Sequence, residues 1–357
     1  MRQSSRILLL LFVCLAAVTA TSEANRDSMP SHHTKRGFQN TNVQWDYKGA
    51  WYVLKSRFFS GEWQGYDKKR DIVATAKPAL AAPTSSNVTV TWVGHATVLI
   101  QHQGINVLTD PIFSKFASPF SFAGPARISQ PALTPETLPK IHAVVISHDH
   151  YDHLDTASIR ALGDTPTYYV PLGIKRWMVG KGISADRVIE MDWWDSATLS
   201  VDGKDVVITA TPSQHFSGRG LHDRNRTLWA SWSIAWPDYH AWFGGDTGYN
   251  EIDFAEIGRH FGDIDFAIIP IGAYKPREIM GPIHVNPAEA VLIHRDLKAR
   301  HSMAIHWGAF RLAAEGVLTP AADLASALQA AGISDNEFGT FAIGETRRYP
   351  ARELPEL

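Results

Sequence analysis

Directly behind the apolar run Ala143-Val144-Val145-Ile146 the chain reads Ser147-His148-Asp149-His150-Tyr151-Asp152-His153-Leu154-Asp155. A buried strand that ends in a loop carrying three imidazoles, interleaved with carboxylates, can aim all of them at one point beyond a sheet edge. A lone histidine is usually a satisfied core or surface residue, but three within six positions are hard to explain by packing. The fold therefore has to present an open strand end where nitrogen and oxygen ligands gather. Cys14 is the one cysteine in the sequence, which excludes thiolate ligation, an iron–sulfur centre and an intramolecular disulfide framework.

The same device recurs downstream. The β-branched run 206–210 leads into Thr211-Pro212-Ser213-Gln214-His215, the run through Phe243 into Gly244-Gly245-Asp246-Thr247-Gly248, and 302–305 into His306-Trp307-Gly308. Each places one ligand-capable residue at the end of an apolar strand. Four such ends on one rim would assemble His148, His150, Asp152, His153, His215, Asp246 and His306, enough for two zinc ions. Other strands are expected at 88–93, 97–100, 105–108, 168–170, 229–236, 240–243 and 265–270, with helices at 155–162, 174–179, 287–297 and 321–331. With 45% hydrophobic residues and neither repeat nor internal linker, 87–357 reads as a single α/β domain of sheets covered by helices.

The region before that domain has another texture. Arg2 and Arg6 precede an apolar run of 12 residues, followed by Val18-Thr19-Ala20 and polar Thr21-Ser22-Glu23. This pattern predicts a secretory signal peptide over 1–20, cleaved after Ala20, with an uncleaved anchor as the alternative; a bilayer span would take about 20 apolar residues. The mature chain would then lack cysteine and suit an oxidising compartment, a bacterial periplasm being the expected location. Residues 21–42 read as a polar arm that forms no core. The segment 43–86 opens with Trp45, Tyr47, Trp51, Tyr52, Phe58, Phe59, Trp63 and Tyr66. It is expected to pack on the main domain, or else to offer an aromatic patch to lipid or substrate. Lys+Arg at 34 against Asp+Glu at 36 leaves no basic field for nucleic acid.

His148-Asp149-His150-Tyr151-Asp152-His153, with His215, Asp246 and His306, resembles the His-x-His-x-Asp-His pattern of the metallo-β-lactamase fold. Trp92-Val93-Gly94-His95-Ala96-Thr97, Leu108-Thr109-Asp110-Pro111-Ile112-Phe113, Phe122-Ala123-Gly124-Pro125, Asp192-Trp193-Trp194, the stretches 244–249 and 269–274, and Ile305-His306-Trp307-Gly308 narrow the likeness. Over about 37–314 the chain resembles the N-acyl-phosphatidylethanolamine-hydrolysing phospholipase D branch.

That resemblance implies a four-layer αβ/βα sandwich and a dizinc site. His148, His150 and His215 would hold one ion, Asp152, His153 and His306 the other, and Asp246 would bridge. Asp152, Asp246 and His284 are the implied catalytic residues, His284 standing near the scissile phosphate. Tyr151, His284, Trp193 and Trp194 are the candidate substrate contacts, core packing being the other reading of the tryptophan pair. His95 either caps a tight turn or steadies the site, and Asp110 is expected to hold a ligand imidazole rather than to ligate. The implied reaction is hydrolysis of N-acyl-phosphatidylethanolamine to N-acylethanolamine and phosphatidic acid, by a hydroxide bridging the two ions. Another ester, a lactone or a soluble phosphodiester is the alternative substrate, and non-catalytic metal or lipid binding the other class of function. The expected partners are a phospholipid or other small molecule and a membrane touched peripherally; oligomeric state is left open. Ile283-His284-Val285-Asn286-Pro287 departs from the family's Gln-His-Val-Asp-Pro at Ile283 and Asn286. His32, His33, His102, His142, His222, His240, His260, His294 and His301 read as ordinary residues.

Overall fold

The computed structural model of the protein describes residues 29–43, 63, 65–82 and 86–353. The expected leader and most of the aromatic stretch 45–66 lie outside the described residues. A small hairpin comes first, of β1 (His33–Thr34) and β2 (Gly37–Phe38). A seven-stranded sheet follows, from β3 (Val88–Gly94), β4 (Thr97–His102), β5 (Ile105–Thr109), β6 (Ala143–Val145), β7 (Thr167–Pro171), β8 (Val188–Met191) and β16 (Thr346–Tyr349), in the order β16-β3-β4-β5-β6-β7-β8. The second seven-stranded sheet holds β9 (Ser196–Val201), β10 (Lys204–Thr211), β11 (Ser231–Trp236), β12 (Tyr239–Phe243), β13 (Ile264–Pro270), β14 (Ala299–Ile305) and β15 (Phe338–Gly339), in the order β15-β14-β13-β12-β11-β10-β9.

The uninterrupted apolar runs are strands buried on both faces. On β4, Val98 and Ile100 enter the core shared by the two sheets while Leu99 faces the other way. On β6, Val145 does the first and Val144 the second. Alternation with period two thus splits one apolar run between two cores. The outer core is closed by Ile159 and Leu162 of α1 (Thr156–Leu162) and Met178 of α2 (Lys175–Val179). Beyond the second sheet lie α3 (Asp253–Phe261), α4 (Arg277–Met280), α5 (Pro287–Asp296) and α6 (Thr319–Ala331), with α5 packed on β13, β14 and α6. The layers run helix, sheet, sheet, helix, the single-domain α/β sandwich expected from sequence.

Strand direction positions the site. Antiparallel β3, β4 and β5 followed by parallel β6 make β3, β5 and β6 run the same way. Antiparallel β10, β11 and β12 followed by parallel β13 and β14 do likewise in the second sheet. The residues just past the C-terminal ends of β3, β5, β6, β10, β12 and β14 include His95, Asp110, the 147–153 loop, His215, Asp246 and His306. Strand ends of this polarity are where open α/β sheets gather their ligands.

The described part of the polar arm, from residue 29, is docked rather than loose. Phe38 N donates to Asn225 O at 2.8 Å, Gln39 N to His32 O at 2.8 Å, and Asn42 reaches Asp253. It is held by polar contacts, which carry no hydrophobic periodicity. Residues 75–82 run along the edge of the first sheet, where Ala76 N donates to Ile343 O and Ala81 N to Gln101. No described helix is long and apolar enough to cross a membrane.

Candidate metal centre

The loop after β6 is locked before its ligands are set. Asp155 caps the N-terminus of α1, accepting from the backbone of Ala157 and Ser158. Arg219 donates to the carbonyls of Asp149 and Leu154 at 2.6 and 2.8 Å. Gly245 sits at φ 60°, and a Cβ there would lie 2.3 Å from Ser147 Cβ, so only glycine lets the β12 end approach this loop. Three non-glycine residues, His95 (φ 56°), Asp110 (φ 29°) and His306 (φ 62°), also hold left-handed backbone at strand ends. Such conformations cost about 1–3 kcal/mol each and persist where the surroundings over-determine them.

Two ligand sets converge. His150 Nδ1 lies 2.8 Å from His148 Nε2 and 3.3 Å from His215 Nε2. Asp152 Oδ2 lies 3.3 Å from both His153 Nε2 and His306 Nε2, and 3.0 Å from His95 Nε2. Asp246 stands between the sets. Its Oδ2 is 3.1 Å from His153 Nε2 and 3.8 Å from both His148 Nε2 and His215 Nε2, and its Oδ1 is 3.1 Å from His306 Nε2. Ligands 2.0–2.1 Å from a tetrahedral ion lie about 3.3 Å from one another, which is the spacing seen here. Buried His153 Nε2 and Asp246 Oδ1 form no hydrogen bond despite these short approaches. Their lone pairs face a common space instead of pairing, as donors to a cation would, and the nitrogen and oxygen set suits zinc.

The outer nitrogens of His153, His215 and His148 are oriented from outside, whereas buried His306 Nδ1 has no hydrogen-bond partner among the described residues. His153 Nδ1 donates to Asp110 Oδ2 at 2.6 Å, and Asp110 Oδ1 accepts from Ser147 N at 2.7 Å. His215 Nδ1 donates to Ile283 O at 2.8 Å, and Ser147 Oγ lies 2.9 Å from His148 Nδ1. These contacts fix tautomers and leave the inward nitrogens as acceptors. Asp110 meets the Nδ1 of His153 and also groups with His148 and His153, while His95 brings its own Nε2 into the Asp152, His153, His306 group.

The electrostatics divide the cluster. Burial pushes His148 well below its ordinary value, His150 to about 4, and His95, His215 and His284 to about 3. Burial also works against charge on His153 and His306, but Asp246 and Asp152 overcome it. His306 rises to about 9 and His153 goes well above its ordinary value. Burial likewise opposes ionisation of Asp152 and Asp246, yet the facing imidazoles, His153 foremost, hold both well below the carboxylate range. In the ion-free chain the carboxylates thus draw these two imidazoles toward the protonated form, which bound cations would displace.

His284 lies beside this group, its Nε2 3.9 Å from Asp246 Oδ2. Ile283 and Asn286, which depart from the family pattern, serve the fold: Ile283 is buried, and Asn286 caps α5 in a capping box with Glu289. Tyr151 turns from the ligands, its hydroxyl donating to Arg219 O at 2.7 Å and its ring under the Arg219 guanidinium. The tryptophan pair corrects the expected substrate groove. Trp193 is buried with its indole N–H donating to Trp229 O at 2.7 Å, and half-buried Trp194 packs on His260 and Phe261. Both rings serve core packing.

His32 and His33, expected to be ordinary, both bond Asp192, Nε2 to Oδ1 at 2.6 Å and Nε2 to Oδ2 at 2.7 Å, and His32 stacks on Trp193. Sequence reading also missed Asn40 and Ser147. Ser147 had a signal, its place at the strand end; Asn40 had none.

The Beta-lactamase superfamily domain family matches residues 105–307. The chain is 40% identical over 270 residues to N-acyl-phosphatidylethanolamine-hydrolyzing phospholipase D 1 of Caenorhabditis elegans, covering 73% of this chain and 76% of the relative. It is 36% identical over 252 residues to the mitochondrial N-acyl-phosphatidylethanolamine-hydrolyzing phospholipase D of Saccharomyces cerevisiae, covering 69% of this chain and 53% of that one. An isothiocyanate hydrolase from Delia radicum gut bacteria superposes with a TM-score of 0.59 at 20% identity, covering 74% of this chain and 100% of that structure. This last likeness is one of fold.

Proposed function

Since the chain belongs to the metallo-β-lactamase superfamily and, within it, to the N-acyl-phosphatidylethanolamine-hydrolysing phospholipase D branch, we propose that this metal-dependent hydrolase is a dizinc phosphodiesterase that releases N-acylethanolamine and phosphatidic acid. The observation that carries the reading is Asp246, one buried carboxylate 3.1 Å from His153 and His306 and 3.8 Å from His148 and His215. That reach suits a group shared by two ions, one on His148, His150 and His215 and one on Asp152, His153 and His306. Two zinc ions so held would make water a nucleophile near neutral pH and neutralise the phosphoryl charge.

The chain's own residues supply the rest. His284 is kept neutral by burial, and its Nδ1 has no hydrogen-bond partner among the described residues. Because burial disfavours its charged form, it would act there as a neutral imidazole that steers the scissile phosphate rather than as a proton carrier. A cleft of about 460 Å³ is lined by Asp149, Tyr151 and Leu154 of the ligand loop, though by none of the proposed ligands, and combines Ile174 and Trp177 with Arg160 and Lys181. Apolar walls with cations suit an acyl chain carrying a phosphate. Phe120, Phe122 and Leu221 are 57%, 78% and 94% exposed and follow Pro119 and Gly220 of that cleft. They supply apolar surface for contact with a lipid layer.

The test is metal analysis of the purified protein, with mass spectrometry of products from a lipid extract with and without a chelator. Two zinc per chain and chelator-sensitive release of N-acylethanolamine with phosphatidic acid are expected. Two zinc with untouched lipid would discard the phospholipase and turn the search to lactones and soluble esters.

A further inference from the structure

The ligand loops after β6 and β12 are fixed by neighbouring backbone, but His215 lies four residues beyond the end of β10. Its side chain is held by Ile283 O, and its main chain by something 175 positions away in sequence. His215 N donates to Asn40 Oδ1 at 3.1 Å, and Asn40 Nδ2 donates to His215 O at 2.9 Å. One carboxamide thus satisfies both backbone groups of a fully buried ligand, as a neighbouring strand would. The amide is itself oriented, because Trp229 Nε1 also donates to Asn40 Oδ1 at 3.1 Å.

Asn40 is delivered there by the arm. His32 and His33 clamp Asp192, Phe38 N donates to Asn225 O, and Asn42 bonds Asp253 at the start of α3. A Cβ on Gly37 would lie 1.9 Å from Asn225 O, so the hairpin approaches as closely as glycine permits. The arm itself lies outside residues 105–307, the part that matches the family domain, while its anchors Asp192, Asn225 and Asp253 lie inside it.

We propose that Asn40 is a positioning residue for His215, and that the arm 29–43 is a strap completing the ion site of His148, His150 and His215. The proposal rests on the two-ion part of the functional reading and is independent of the substrate. Outer partners of metal-ligating histidines change metal affinity by about 10- to 100-fold when removed. Loss of the Asn40 carboxamide leaves two buried main-chain groups unpaired beside one ion and none beside the other.

The experiment is titration of the chelated full chain with zinc and, separately, with cobalt(II), whose absorption reports each coordination sphere. The wild-type chain is expected to bind in two steps. Asn40→Ala is expected to weaken one step by about 10- to 100-fold and shift its cobalt(II) band while the other step stays unchanged. Asn40→Asp keeps the acceptor for His215 N and Trp229 and should recover part of the loss. Asn42→Ala cuts the strap's bond to Asp253 but keeps the Asn40 carboxamide, and should weaken the same step by less than Asn40→Ala does. The proposal is overturned if Asn40→Ala leaves both steps intact, if it weakens both alike, if Asn42→Ala produces the same loss, or if the wild-type chain shows no two-step binding. Should Asn40→Ala not fold, Asn40→Asp carries the same comparison. Two-step binding without cleavage of N-acyl-phosphatidylethanolamine would remove the substrate reading and leave this inference standing.

Discussion

Asp110 shows how much of a metal centre depends on a residue that holds no metal. Its carboxylate is fully buried, takes the His153 Nδ1 proton at 2.6 Å and accepts the Ser147 N–H at 2.7 Å. With the Ser147 hydroxyl, three donors face it, so it must be acceptor-only. An Asp110→Asn amide would turn its NH₂ toward one of them; facing His153, it would force that proton to Nε2, the atom aimed at Asp246. Asp110→Asn is expected to weaken ion binding by about 10- to 100-fold while leaving the far-UV circular dichroism unchanged, and unaltered zinc affinity would refute the role. The clustering of these histidines and aspartates was legible because they follow strand ends in a dense pattern. Asn40 was not, because an asparagine in Gly37-Phe38-Gln39-Asn40 carries no mark of the histidine 175 positions on whose backbone it pairs with.

Among the elements, those built on unbroken apolar runs were readable and those built on other terms were not. β4, β6 and β13 bury both faces, so their residues form continuous hydrophobic runs. β9 has an alternately exposed Ser-Ala-Thr-Leu-Ser-Val pattern, and β16 is Thr-Arg-Arg-Tyr, paired with β3 at a sheet edge. α3 carries Gly258, a poor helix former, because a Cβ there would lie 2.1 Å from Asp296 O of α5. Close helix packing thus puts a poor helix former inside a segment whose apolar face, Phe254 and Ile257, is buried in the core. α5 was read correctly, and its start gives a prediction. Asn286 accepts from Glu289 N at 2.9 Å, while Glu289 accepts from Asn286 N. Asn286→Ala should cost about 1 kcal/mol of stability, seen as a lower denaturant midpoint, with the KM for lipid unchanged. A raised KM at unchanged stability would return Asn286 to the substrate side.

For the whole molecule, the two sheets bring Asp110, Asp152 and Asp246 into one buried space, a charge that a folded chain must offset. Without ions the offset falls to protons on His153 and His306, both drawn upward by the carboxylates against their own burial. His306 moves from 6.5 to about 9 in the fold. Its stabilisation is therefore complete below the unfolded value of 6.5, and is lost as pH rises toward about 9, where the native chain also gives up the proton. Bound ions follow the opposite course, since they need unprotonated imidazoles and gain affinity over the same window. Because ions bind the native chain and not a preformed site in the unfolded one, they raise its apparent stability by mass action. The chelated protein should consequently lose melting temperature between pH 6.5 and 9, while the zinc-loaded protein holds its own and the gap between them widens. Zinc added to the chelated protein at pH 7 should also release protons into a weakly buffered indicator solution. A gap that narrows with rising pH, or zinc uptake without proton release, would mean that His153 and His306 do not hold the place of cations in this centre.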